Sequence, residues 1–102
     1  MRSITFDLDV LRSFVAGVEL GSFGRAADRL GRSTSAVSAQ LKKLEDQAGV
    51  PLLRKAGRGL ALTDAGETML AYARRLLELN DQAAVAVRGA QLQGQGRPVS
   101  YT

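Results

Sequence analysis

The sequence contains no cysteine and no histidine, and aromatic side chains make up only 5% of its 102 residues. The first two absences exclude disulfide bonds, thiol nucleophiles, cysteine or histidine metal sites and imidazole-dependent catalytic triads. No stretch approaches the roughly 20 apolar residues of a membrane span, and the N-terminus has no secretory signal pattern. We therefore expect a small cytoplasmic domain with an aliphatic core that binds a partner, without enzymatic activity, cofactor, metal or membrane.

Positive charge is concentrated in one third of the chain. Residues 25–58 contain eight lysines and arginines against three acidic residues, whereas the rest of the chain has six basic and seven acidic residues. A surface that is charged only for solubility would spread this excess, and a surface that binds a polyanion would concentrate it. The distribution makes nucleic acid a candidate partner, with a solvated basic surface as the alternative.

Three short helices are predicted within the first fifty residues. Apolar residues recur at helical spacing after each of three candidate N-capping residues, Asp7, Ser22 and Ser33. A glycine follows each apolar pattern and is expected to end the helix: Gly21, Gly31 and Gly49. The helices are therefore joined by very short turns.

A hairpin and a long helix are predicted to follow. Pro51 is incompatible with a continuing helix, and two short extended segments flank a glycine-rich turn, which predicts a hairpin over about residues 53–62 with a basic tip. Thr63 is a candidate N-cap for a fourth helix, which we expect over residues 64–90 because the next glycine after Gly66 is Gly89. Residues 91–102 have the composition of a flexible tail.

The second and third helices have the pattern of a helix-turn-helix over about residues 23–42. The third helix would bury Val37, Leu41 and Leu44 and present small polar side chains to base edges in a major groove. The hairpin would act as a wing on the DNA backbone or in the minor groove. The candidate DNA-binding residues are the polar, basic or small residues of these elements: Ser22, Arg25, Arg32, Ser33, Thr34, Ser35, Ser38, Ala39, Lys42, Lys43, Arg54, Lys55 and Arg58. The alternative is that the serines only cap helices and the cations are only solvated.

An ordered series of motifs extends over about residues 6–88: SFGRAA (22–27), STSAVS (33–38), QLKKLE (40–45), GVPL (49–52), GR (57–58) and LTDAG (62–66). This series resembles the N-terminal part of LysR-type transcriptional regulators. It implies a mainly α-helical, winged helix-turn-helix domain over residues 6–63, followed by a linker helix that pairs in a homodimer. The implied function is sequence-specific binding of promoter DNA in the regulation of bacterial transcription.

By position, the resemblance assigns base reading to Thr34, Ser35, Ser38 and Ala39, and the wing contact to Arg58. Members of the family often carry Gln in place of Thr34 and Arg in place of Ala39, so neither of those bidentate base contacts is available here. We therefore expect specificity to depend on Ser38, on methyl contacts to thymine and on DNA shape.

The fourth helix carries more apolar side chains than so small a domain can cover. We expect Met69, Ala73 and Leu76 to complete the core and the distal half to form the dimer contact, through Leu77, Ala83, Ala84 and Val87. The family normally continues into an effector-binding domain. Residues 91–102 are therefore expected to begin that domain, which would bind a small-molecule effector and leave room for a higher oligomer in a full-length chain. The main alternative is a helical dimerisation module without a DNA-binding role.

Overall fold

The computed structural model describes residues 3–93, and the side chains of residues 3–90. Three short helices come first, α1 (Leu8–Leu20), α2 (Phe23–Leu30) and α3 (Thr34–Ala48). An antiparallel hairpin follows, formed by β1 (Leu53–Ala56) and β2 (Gly59–Leu62), and then the 30-residue helix α4 (Asp64–Gln93). The described residues therefore form the mainly helical winged architecture that the sequence predicted.

The first three helices begin and end at the predicted capping residues. The side chains of Asp7, Ser22 and Ser33 each accept a hydrogen bond from a backbone N–H in the first turn of the following helix. Each helix ends at a glycine in the left-handed conformation: Gly21, Gly31 and Gly49. Residues with a Cβ adopt this conformation at a cost, so glycine here lets the chain reverse direction within one or two residues.

The core lies where α1 packs against α3 and α4. Its buried members are almost all aliphatic: Val10, Leu11, Phe14, Val15, Leu41, Leu44, Leu52, Ala73 and Leu77. Phe14 is the one fully buried aromatic side chain among residues 3–90. Helix α2 packs against α1 and α3, and buries only the small residues Ala26 and Ala27. The scarcity of aromatic residues is thus matched by close packing of small and branched side chains.

The core-facing side of α4 agrees with the prediction at Met69 and Ala73 and differs from it at Leu76 and Leu77. Leu77, which we expected at a dimer contact, is only 8% exposed and packs in the core, whereas Leu76, which we expected in the core, is 41% exposed. The physical reason is that Leu77 lies four residues after the fully buried Ala73 and shares its face of the helix. The apolar surface of α4 is too broad for its sequence pattern to indicate which side α1 covers.

Helix α4 also extends past its predicted end at residue 90. It continues through Gly89 to Gln93. An isolated glycine inside a helix costs about 1 kcal/mol relative to alanine, which is too little to stop a helix on its own. The rest of the predicted tail, residues 94–102, lies outside the described residues.

Two exposed ion pairs link α1 to α4. The Arg12 guanidinium lies 3.1 Å from the Asp81 carboxylate, and Arg74 lies 3.3 Å from Glu19. The hydrogen bond from Arg12 lowers the pKa of the Asp81 carboxyl, with a smaller contribution from the Asn80 amide. Because both pairs are exposed to solvent, they favour one orientation of α4 on α1 but add little to stability.

The root of the hairpin is joined to the first turn of α4. The Thr63 backbone N–H donates to the Leu52 carbonyl at 3.0 Å, and the Thr63 hydroxyl donates to the Pro51 carbonyl at 2.7 Å. The same hydroxyl accepts a hydrogen bond from the Gly66 N–H at 3.0 Å, as its predicted capping role requires. A Cβ on Gly66 would overlap the Leu52 carbonyl, so the helix can approach the hairpin this closely only with glycine at this position.

We predict that Gly66→Ala lowers the free energy of unfolding by about 1–3 kcal/mol, because the added methyl group must push the hairpin root away from α4. Urea denaturation followed by circular dichroism measures this change. The matched control is Gly89→Ala in the same helix, where an added Cβ meets no atom within 4 Å. The control is expected to leave stability unchanged or to raise it, and equal losses in both variants would contradict the proposed clash.

Candidate nucleic-acid interface

Helix α3 presents a face of small and polar side chains to solvent. The residues that were predicted to face base edges are all exposed: Thr34, Ser35, Ser38 and Ala39, and so is Lys42, which was predicted to neutralise a phosphate. Val37, Leu41 and Leu44 anchor the opposite face in the interior. Because the first four exposed side chains are short, the helix backbone can come close to a partner surface such as the floor of a major groove.

A buried hydrogen bond that the sequence did not predict helps to hold α3 on α1. Ser13 of α1 is 1% exposed, and its hydroxyl bonds to the Gln40 side-chain oxygen of α3 and to the Asp9 carbonyl. A buried polar group is costly unless it is paired, so this contact favours one register of α3 against α1. The signal in the sequence was a serine among the apolar positions of α1.

Ser22 and Ser33, both predicted as DNA-binding residues, cap helices. The Ser22 hydroxyl oxygen accepts from the Arg25 N–H at 3.2 Å, and that of Ser33 accepts from the Ala36 N–H at 3.1 Å. A serine hydroxyl has one proton to donate as well as lone pairs to accept, so a capping serine retains a donor for a phosphate oxygen. The capping and DNA-binding interpretations are therefore compatible at these two positions.

The hairpin forms a short wing with a two-residue turn at its tip. Ala56 pairs with Gly59 across the turn, Gly57 has a positive φ of 60°, and Arg58 does not have a positive φ. A positive φ at the first turn residue alone is the pattern of a type II′ hairpin turn. The side chain of Arg58 is exposed at this tip, as are those of Arg54 and Lys55 on β1.

The wing tip and the N-terminus of α2 line one groove. Ser22 lies on one wall, and Lys55 and Arg58 lie on the other. A helix N-terminus carries partial positive charge from its unpaired N–H groups, and the two side chains add full charges. The structure thus brings three of the predicted residues, from two separate elements, into one electropositive groove.

Most of the predicted cations have no acidic partner. Among the described side chains, no carboxylate lies within 4.0 Å of Arg25, Lys42, Lys43 or the three wing cations. Arg32 is the exception, because its guanidinium lies 4.0 Å from the Asp9 carboxylate. The unneutralised charge leaves this part of the surface suited to a polyanion.

Glu45, an acidic residue within the basic segment, is turned toward the protein. Its carboxylate accepts hydrogen bonds from the N–H groups of Leu52 and Leu53, at 2.8 and 3.2 Å. It therefore joins the C-terminal end of α3 to the start of the wing. The sequence did not predict this role, because a glutamate on a helix is most often solvated.

The described residues contain no cluster of three or more side chains that could hold a metal ion, and no helix within residues 3–93 is apolar and long enough to span a bilayer.

Three short helices, the third of which exposes a face of small side chains, and a basic wing define a winged helix-turn-helix DNA-binding domain. Residues 8–67 match the family described as bacterial regulatory helix-turn-helix protein, lysR family. The chain belongs to this family.

Transcriptional regulators are similar to this chain over most of its length. It is 43% identical to the regulator DgdR of Burkholderia cepacia over 90 residues, which cover 88% of this chain and 31% of DgdR. It is 41% identical to PecT of Dickeya dadantii (strain 3937) over 91 residues, which cover 89% of this chain and 29% of PecT. The chain thus spans about a third of the length of these two relatives.

Solved structures with this fold include complexes with DNA. The BenM_DBD/catB site 1 DNA complex superposes with a TM-score of 0.79 at 35% identity, covering 83% of this chain and 94% of that one. The CbnR_DBD–DNA complex gives a TM-score of 0.76 at 38% identity, covering 83% and 98%. These similarities confirm the family and the fold that the motifs indicated.

We predict that Ser33→Ala lowers the free energy of unfolding by about 1 kcal/mol, because it removes the cap of α3. Ser35→Ala is the matched control, since Ser35 is exposed on the same helix and makes no side-chain hydrogen bond within residues 3–90. Thermal unfolding of both variants measures the difference. Equal stabilities would show that the Ser33 hydroxyl does not act as a cap.

Proposed function

We propose that this chain is the sequence-specific, double-stranded DNA-binding part of a cytoplasmic bacterial transcription regulator, and that it acts as a homodimer without catalysing a reaction. The observation that carries the proposal is the pairing of two exposed elements, the short-sided face of α3 and the unneutralised wing. The solved DNA complexes of similar chains support the same function. Any small-molecule effector would bind outside this DNA-binding part, a proposal supported by the similarity to regulators of which this chain spans about a third.

In this mechanism α3 enters the major groove with its N-terminal half leading. Thr34, Ser35, Ser38 and Ala39 face the base edges, and Lys42 and Lys43, farther along the helix, neutralise phosphates. The groove lined by Ser22, Lys55 and Arg58 receives the DNA backbone, and Arg58 reaches a phosphate or the adjacent minor groove. Arg25, Arg32 and Arg54 add positive charge that attracts the DNA.

Discrimination between bases is proposed to depend on contacts made by short side chains. Ser38 can donate or accept one hydrogen bond at a base edge, and the methyl groups of Thr34 and Ala39 fit against a thymine methyl group. A serine bond carries less information than a bidentate contact from Gln or Arg. The sequence-dependent shape of the DNA beneath the wing therefore supplies a larger share of the specificity.

The dimer is proposed to form along α4. Apolar residues alternate at spacings of four and three along one side of this helix, next to its core-facing side: Ala65, Met69, Tyr72, Leu76, Leu79, Ala83, Ala86 and Ala90. This heptad spacing is the pattern by which two helices pack against each other. Within the stripe, Leu79 is 62% exposed, and Val87 beside it is exposed as well. Ala65 and Met69 are partly buried against the core, but the stripe is exposed from Tyr72 onward. An apolar stripe left open to solvent normally finds a partner, and a second copy of α4 matches it.

The structure changes which residues we assign to this contact. Ala83 and Val87 remain candidates, but Leu77 is replaced by Leu76 and Leu79, because Leu77 is already buried. Ala84 is exposed, but it lies two turns after the buried Leu77 and on the same side of α4. We therefore do not assign Ala84 to the dimer contact. After Ala65, the bulky residues of the stripe, from Met69 to Leu79, come first, and the alanines, from Ala83 to Ala90, follow. An antiparallel pair would therefore match large side chains with small ones.

The DNA-binding proposal is tested with DNA selected from a random pool. Arg58→Ala is expected to weaken binding to all sequences alike and to reduce the slope of log affinity against log salt by about 1, because one phosphate contact is lost. Ser38→Ala is expected instead to change the preference among sequences. Fluorescence anisotropy over a salt series measures both effects.

Arg88→Ala is the control for Arg58→Ala, since it removes the same charge from the exposed distal part of α4, away from α3 and the wing. It is expected to change binding little. Binding that does not respond to salt, or equal losses in the Arg58 and Arg88 variants, would contradict the proposed interface.

The dimer proposal is tested with Leu79→Asp, which places a charge in the middle of the apolar stripe. Sedimentation velocity at tens of micromolar is expected to give a dimer for the parent chain and a monomer for the variant. Ala71→Asp is the matched control, because Ala71 is exposed on the other side of α4 and the same helix-disfavouring residue is introduced. A monomeric parent chain, or an unchanged dimer in the Leu79 variant, would contradict the assignment.

A further inference from the structure

Glu45 holds the peptide group at which the wing begins. One carboxylate oxygen, Oε2, accepts both the Leu52 N–H at 2.8 Å and the Leu53 N–H at 3.2 Å. Hydrogen bonds to a carboxylate are shorter and stronger than those between neutral groups. The backbone carbonyl of Glu45 also accepts the Gly49 N–H at 2.8 Å. Glu45 therefore contributes to the C-terminal end of α3 through its backbone and binds the start of β1 through its side chain.

Leu52 is held from three directions. Its N–H is bound by Glu45, its carbonyl is bound by the Thr63 N–H at 3.0 Å, and its side chain is 1% exposed in the core. The next residue, Leu53, begins β1 and pairs with Leu62 of β2. Of the two hydrogen-bonded attachments, the Glu45 carboxylate is the one that comes from the helix proposed to read DNA. It therefore relates the direction of the wing to that helix.

Because the wing is long relative to its root, a small change in the attachment at the root produces a large displacement of the tip. The wing strands have four residues each, so the tip lies about 13 Å from the root, and a rotation of about 10° at the root displaces the tip by about 2 Å. A hydrogen bond between a guanidinium and a phosphate tolerates only a few tenths of an ångström. The contact made by Arg58 therefore depends on how firmly the root is held.

We propose that Glu45 is a positioning residue for DNA binding: its carboxylate sets the wing against α3, so that the affinity supplied by Arg58 depends on Glu45. The proposal rests on the proposed DNA-binding function. A role for Glu45 in positioning predicts weaker DNA binding when its carboxylate is displaced, which its charge alone does not predict. An acidic residue beside a DNA-binding surface repels phosphates, so its removal should tighten binding unless the residue is needed for geometry.

Two substitutions separate shape from charge. Glu45→Asp keeps the charge but withdraws the carboxylate by one methylene group, and it is expected to weaken DNA binding by roughly threefold or more through loss of the paired hydrogen bonds. Glu45→Gln removes the charge but keeps an acceptor oxygen in place, and it is expected to bind within about twofold of the parent chain. A purely electrostatic role predicts the reverse, with the Asp variant unchanged and the Gln variant tighter.

A double-mutant cycle tests the dependence on Arg58. In an Arg58→Ala background, Glu45→Asp is expected to change affinity by less than about twofold, because the contact that it would misplace is already absent. Glu45→Asp alone is expected to lower the salt slope by about 1, as Arg58→Ala does. The control is Asp46→Ala, at an exposed acidic residue next to Glu45 with no side-chain hydrogen bond among the described residues, which is expected to leave affinity unchanged or slightly higher.

The structural step is measured without DNA. Amide hydrogen exchange at Leu52 and Leu53 is expected to be faster in the Asp variant than in the parent chain. Thermal unfolding measures what fraction of each variant is folded at the temperature of the binding assay. Additive effects of Glu45→Asp and Arg58→Ala, or parent-like binding by the Asp variant while Arg58→Ala is weakened, would overturn this inference alone. Failure of the parent chain to bind any selected DNA would overturn the proposed function as well.

Discussion

Helix α1 is the element on which the other three helices pack, and the orientation of the rest of the structure depends on that packing. Leu11 and Phe14, both inaccessible to solvent, form the centre of this interface. The wing is held at its root by both kinds of contact. Leu52 is buried in the core, Leu53 and Leu62 pack against it, and hydrogen bonds come from Glu45 on one side and Thr63 on the other. Apolar burial therefore orients the helices and fixes the root of the wing, and a few polar contacts add to the positioning of the wing.

The short side chains of α3 have a cost and a benefit for DNA recognition. Long polar side chains give strong discrimination at single bases, and the exposed face of this helix has none before Lys42. In return, little side-chain entropy is lost on binding, and the backbone itself can approach the groove. In the proposed mode of binding, such a face would read DNA more through fit and DNA deformability than through individual base contacts.

The sequence predicted those parts of the fold that depend on local chemistry. The N-caps, the glycine helix ends and the hairpin turn are each determined by one or two residues, and they lie where they were expected. Met69 and Ala73 of α4 pack in or against the core as expected, but Leu76 and Leu77 were assigned the wrong way round, because the choice between these neighbours depends on where α1 lies. The end of α4 was placed too early, since Gly89 was given more weight than its small cost justifies. Glu45 and Ser13 were missed because their partners are on other elements, at sequence separations that no local pattern reveals.

Helix α4 has 30 residues and is therefore about 45 Å long, which exceeds one turn of B-form DNA at about 34 Å. In the proposed dimer along this helix, the length of α4 would set the distance between the two recognition helices. The spacing of the two DNA sites that they contact would then be recognised together with the bases in each site. A change in the length of α4 would alter the preferred spacing without changing any residue that touches DNA.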